Sequence, residues 1–145
     1  MKPIRKFTGD WGKSFSWDGA RRRTYQANSG TSVIENWMIG KAEGAENFAM
    51  RFYQLSESGS SNLESHPHDH GIIVLMGEGK VLIGEDTHPI ATGDVIYIEP
   101  NIQHQLINTG AGDLGFICVI PAKRMKNGKE VWAEENIDFG EKTRS

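Results

Sequence analysis

Four of the five histidines in this 145-residue chain fall in two short segments, with His66, His68 and His70 close together and His104 further on. In Glu64-Ser65-His66-Pro67-His68-Asp69-His70, the carboxylate of Glu64 and the imidazole of His66 are two residues apart. Side chains alternate along a strand, so an extended segment places both on one face. Pro67 has no amide hydrogen to give to a ladder, so a strand over 63–66 should end there and turn. His70 then opens the next stretch and is able to swing back toward the first pair, while a facing strand supplies His104. Three neutral imidazoles and one carboxylate, Glu64, His66, His70 and His104, form a donor set for Mn, Fe, Co, Ni, Cu or Zn that leaves room for water or substrate. The competing reading is that H-x-H-x-H is a solvent-exposed loop. His88 lies in an expected hairpin and reads as a surface residue. The single cysteine, Cys118, sits in the apolar run 116–120 and reads as a buried strand thiol, since reactive thiols occupy polar, partly exposed surroundings.

The elements that must position these groups are short. Seventeen glycines punctuate the chain, and between them stretches rich in Val, Ile, Phe and Tyr recur at the spacing of a sandwich or barrel. Strands are expected over 32–39, 47–55, 63–66, 71–76, 79–84, 87–91, 94–98, 104–108 and 114–120, with no long helix. Turns such as Gly77-Glu78-Gly79 and Thr92-Gly93-Asp94 use residues that tolerate positive φ or bond their own backbone. Several strands are apolar on both faces, which implies a barrel interior on one side and a second layer or partner subunit on the other. The fold class is all-β: a barrel over 31–121, preceded by an arm over 1–30 that packs by its aromatics and followed by a surface extension over 122–145. No internal repeat is present, so a single barrel is expected.

Composition excludes several classes. Net charge is −3 with both signs interspersed, which suggests neither a nucleic-acid nor a membrane surface. No window approaches the roughly 20 apolar residues of a membrane span, and the N-terminus lacks the apolar segment of a secretory signal, giving a cytoplasmic reading. Arg21-Arg22-Arg23 reads as a solvated loop, although the guanidinium fork suits carboxylate or phosphate.

The segments from Glu64 to Gly77 and from Gly93 to Asn108 resemble the two short motifs of the cupin superfamily. Counting back from Gly77, His70 takes the place of the first motif's glutamate, His66 that of its second histidine, and Glu64 that of its first. The second motif fits through Gly93, His104 and Asn108, while Glu99 and Asn101 replace its proline and glycine. The resemblance spans about residues 47–121. It implies a double-stranded β-helix, or jelly-roll barrel, with one divalent transition metal held by Glu64, His66, His70 and His104. His68 is left on the inter-strand turn, at the entrance or behind the ligands. Gly77 and Gly93 are turn formers.

Cupins share a fold and not a reaction, so the resemblance leaves function open among three readings. The first is a metal-dependent enzyme (dioxygenase, decarboxylase, isomerase or lyase) acting on a carboxylic, phenolic or sugar acid. Its candidate proton-transfer or polarising groups are His68, Tyr97, Gln105 and Glu99. The second is a binding module for a sugar or other small molecule, and the third a dimeric interaction protein with a vestigial pocket. A homodimer is expected.

Overall fold

In a computed structural model, which describes residues 3–139, the glycine-punctuated stretches become eleven β-strands. They are β1 (Arg21–Gln26), β2 (Ser32–Ile39), β3 (Phe48–Leu55), β4 (His70–Met76), β5 (Glu78–Ile83), β6 (Asp86–Ala91), β7 (Val95–Ile98), β8 (His104–Asn108), β9 (Leu114–Pro121), β10 (Lys123–Lys126) and β11 (Lys129–Trp132). A single 3₁₀ turn, Lys41–Glu43, is the only helical element among the described residues.

The strands form a six-stranded sheet in the order β1-β2-β3-β9-β4-β7, a three-stranded sheet in the order β6-β5-β8, and the hairpin β10-β11. All pairings are antiparallel. Apolar side chains from the facing sheets meet in one core. Leu55, Val74, Val81, Ile90 and Leu114 fill it at one end, and the other end opens into a cavity.

Two glycines set turns through a positive φ. Gly77, between β4 and β5, has φ +82, and a Cβ there would lie 2.3 Å from the Asp113 carbonyl oxygen. Gly93, leading into β7, has φ +96 and donates its amide to the Val74 carbonyl at 2.8 Å. Both belong to the left-handed region that side chains disfavour. Asn108 closes a third turn: its Nδ2 donates to the Leu55, Ser56 and Gly112 carbonyls, tying three segments together.

Three local expectations change. The strand expected over 63–66 is reduced to a single bridge, Glu64 to His104, with another, Ser60 to Ile107, just before it. Pro67 has no amide hydrogen, so no ladder continues past His66. The run Arg21-Arg22-Arg23 is no loop but the start of edge strand β1, with Arg21 paired to Glu134 and Arg23 to Glu35. The surface extension expected after Pro121 begins with a hairpin, β10-β11.

The N-terminal aromatics pack as expected. Phe7, Trp11, Phe15 and Trp17 form an edge-to-face cluster, and Phe15 stacks on Phe52 at 4.9 Å. Phe52 lies on the face of β3 opposite the cavity, so the arm covers the outside of the six-stranded sheet there.

Candidate metal centre

The single bridge at Glu64 fixes the site. Reciprocal backbone hydrogen bonds between Glu64 and His104, at 3.2 and 2.9 Å, lay the 59–66 segment along β8. The Asn101 amide donates to the His66 carbonyl and holds the next turn. His70 is the first residue of β4 and faces inward opposite buried Ile98 of β7. His104 is the first residue of β8, opposite Ile83. Alternation then makes Ile72 below His70 and Leu106 below His104 the apolar floor of the same cavity.

The ligand atoms of His66, His70 and His104 all lie within 4.8 Å of one another. His104 Nδ1 is 3.0 Å from the Ile102 carbonyl, so it donates there and leaves Nε2 with its lone pair free. His70 Nδ1 is 3.3 Å from the Cys118 sulfur, and its Nε2 is buried without a hydrogen-bond partner. A buried imidazole nitrogen costs free energy when unsatisfied, and a cation shared with His66 and His104 would satisfy that of His70. Burial, followed by the neighbouring His104, pushes the His70 pKa down to about 3. Near neutrality it is therefore an uncharged donor, the form a metal requires. On chemistry and convergence these three residues fit a divalent transition ion.

Glu64 stands beside this group. Its Oε1 is 3.3 Å from His66 Nε2 and its side chain is 45% exposed. Burial acts to raise its carboxyl, but the hydrogen bond and charge of His66 outweigh that and leave it below the usual carboxylate range. His68 lies on the turn, its ring parallel to His66 with centroids 4.9 Å apart. Burial and then His66 lower its pKa to about 4.

The remaining expected catalytic groups are not brought to the cavity. Tyr97 is 63% exposed on the outer face of β7, where its hydroxyl donates to Asp69 at 2.9 Å. Inward positions of that strand belong to Ile96 and Ile98, so parity turns Tyr97 away. Gln105 is likewise on the outer face of β8, donating to the Ser61 carbonyl at 2.9 Å and helping to hold the 59–66 segment. Glu99 is exposed beyond the end of β7.

The cavity, about 470 Å³, contains further polar groups, of which the sequence reading had singled out only Arg23. Arg51 and Tyr53 project into it from β3, Glu35 and Trp37 from β2, and Arg23 and Tyr25 from β1. Glu35 is 1% exposed and accepts hydrogen bonds from Arg23 Nε, Trp37 Nε1 and the Tyr53 hydroxyl. Arg51 donates to the Tyr53 hydroxyl and, at 3.2 Å, to Cys118. Cys118 is buried as expected, but its surroundings are polar. Ala133, Glu135 and Ile137, beyond β11, complete the wall. A charged residue on the inward parity of the apolar stretch 47–55 was the available signal for Arg51.

Fold and site together define a β-barrel that opens on a histidine cluster. Residues 51–120 match the cupin domain family, and the chain is a small member of the cupin superfamily. It is similar to a 1-methylthio-D-xylulose 5-phosphate methylsulfurylase of Rhodospirillum rubrum, 32% identical over 53% of this chain and 49% of that one. The match thus spans about half the length of that relative. It is also similar to an oxalate-binding protein of Thermotoga maritima, 28% identical over 68% of this chain and 84% of that one. Among solved structures, a cupin 2 conserved barrel domain protein from Rhodopseudomonas palustris superposes with a TM-score of 0.72 at 28% identity, covering 85% of this chain and 83% of that one.

Proposed function

We propose that the chain is a metal-dependent enzyme acting on a small, oxygen-rich substrate such as a carboxylic, phenolic or sugar acid, with His66, His70 and His104 as the holding set and Glu64 as fourth donor. The observation that carries this reading is the convergence of three histidines, one with a buried, unpartnered nitrogen, on the wall of a 470 Å³ cavity. Such a volume suits a small molecule. When bound, the ion supplies a Lewis acid for substrate oxygens or, if it is iron or copper, a redox centre for oxygen chemistry. The chain's own part is to orient the imidazoles through Ile102 and Cys118, to exclude water with Ile72, Leu106 and Phe116, and to place His68 beside the cluster as the titratable group nearest the turn. The names of the two relatives, one acting on a sugar phosphate and one binding a dicarboxylate, support an oxygen-rich anionic ligand.

The oxalate-binding relative also favours a second reading, a barrel that binds its ligand without turning it over. Metal analysis of protein purified without an affinity tag, followed by turnover assays on small hydroxy, keto and sugar acids, tests both. Stoichiometric iron or copper directs the assays to dioxygenase chemistry, and manganese, cobalt, nickel or zinc to decarboxylation, isomerisation or lyase chemistry. Absence of any metal, with none taken up on titration, overturns the enzyme reading. The homodimer is carried forward on Ile73, Val95 and Tyr97, exposed together on the outer face of β4 and β7. Light scattering that finds only monomer at micromolar concentration refutes it.

A further inference from the structure

Arg51 is a cation with no directly paired carboxylate. It enters the cavity from β3, yet none of the ion pairs among the described residues includes it. Its two hydrogen-bond acceptors are a phenol hydroxyl, on Tyr53, and a thiol, on Cys118, and neither supplies a compensating charge. Its Nε is buried and finds no protein acceptor. Two carboxylates act on it from a distance: Glu35, bound directly to Arg23 at 2.6 Å and reaching Arg51 only through Tyr53, and Glu64, which leans on His66. Trp37 and Tyr53 flank the guanidinium, with centroids 5.5 and 4.9 Å away, and hold it from the sides.

Burying a charge costs heavily unless a partner compensates it, and a protein maintains such a group where a ligand completes the pair. Arginine's planar fork matches two oxygens of a carboxylate or phosphate at once. Cys118 is shared between Arg51 and His70, at 3.2 and 3.3 Å, so the guanidinium and the histidine cluster lie on one wall of one cavity.

We infer that Arg51 is the anchor for an oxyanionic group of the substrate, a carboxylate or a phosphate, held beside the histidine cluster. This rests on the reading of the cavity as a substrate site. It narrows the substrate class to small molecules that carry an anionic group close to the oxygens facing the histidines. Phenols and neutral sugars lack that group and bind poorly.

The test uses the full chain freed of metal by a chelator, so that any anion bound is held by the protein alone. Malonate and inorganic phosphate are titrated separately by calorimetry at pH 8, into wild type, Arg51→Met, Arg51→Lys and the surface control Arg22→Gln. Wild type and Arg22→Gln bind at least one anion with equal affinity, Arg51→Met binds it at least tenfold more weakly, and Arg51→Lys lies between. Binding of malonate alone assigns a carboxylate, and of phosphate alone a phosphate. If Arg51→Met does not fold, arginine Nε–H resonances of wild type are followed instead, and the Arg51 signal is the one that moves most with added anion. No anion binding by wild type, equal binding by Arg51→Met, or movement confined to other arginines overturns the inference. Metal titration of the same samples is a separate readout: loss of metal binding with anion binding intact removes the enzyme reading and leaves the Arg51 site standing.

Discussion

The Cys118 sulfur lies 3.3 Å from His70 Nδ1, on the side of the ring away from the nitrogen that faces the cluster. Partners of this kind fix ring orientation, and losing one costs about ten- to a hundredfold in metal affinity. Cys118→Ala should therefore weaken metal binding by about tenfold in competition with a chromophoric chelator, while Cys118→Ser, which keeps a hydrogen-bonding atom, retains most of it. Equal affinity of the alanine variant would show that packing alone holds His70.

His104 and Glu64 make unequal contributions. His104 is buried and its free nitrogen is aimed by Ile102, so His104→Ala should lose most metal binding. Glu64 is nearly half exposed and leans on His66, so Glu64→Gln is expected to weaken binding by roughly tenfold and not abolish it. A titration of Glu64→Gln that superposes on wild type takes Glu64 out of the donor set.

Alkaline stability follows from Tyr25. Burial first, and Glu35 next, push its phenol up to about 12 from an ordinary value near 10. The folded protein thus holds that proton to higher pH than the unfolded chain does. Between those values the unfolded state binds fewer protons, and stability falls as pH rises, by up to about 1.4 kcal/mol per pH unit. Urea denaturation at pH 9 and pH 11 should show the loss. Tyr25→Phe should show a smaller one, the remainder coming from Tyr53, which burial also raises. The same loss in Tyr25→Phe as in wild type would assign it to other groups.

Glu134 pegs the wall formed by 133–137. It is 6% exposed, accepts from Arg21 Nη2 at 2.7 Å and from the Lys41 amide, and leaves Arg21 free to lie 4.4 Å over the Phe139 ring. Arg21 is 29% exposed and can be hydrated once its partner is gone, so Glu134→Ala should cost about 1–2 kcal/mol, mainly in lost charged hydrogen bonds, and lower the denaturation midpoint accordingly. Hydrogen exchange over 133–137 should quicken in the same variant. Unchanged exchange there would mean that Ala133 and Ile137 hold the wall by packing alone.

Much of the barrel was legible because its strands are short, apolar and closed by Gly77 and Gly93, signals that need no tertiary context. The histidine cluster was legible through spacing and resemblance. Tyr97 and Gln105 were misplaced because one residue of parity turns a side chain to the opposite face, and register is set by partner strands that sequence does not name. Arg51, Glu35 and Tyr53 were missed for the opposite reason: each looks like an ordinary polar interruption until β2, β3 and β9 are laid side by side. The expected strand at 63–66 shrank to a bridge, yet that single bridge carries His66 to His104.

His70 belongs to the six-stranded sheet and His104 to the three-stranded one. An ion held by both is a cross-link between the two layers, closing the open end of the barrel much as a clasp would. Folding and metal loading are then thermodynamically linked: free ion at a hundred times its dissociation constant adds about 2.7 kcal/mol to the folded state. The melting temperature would then report metal supply, and chelation would loosen the barrel at its open end.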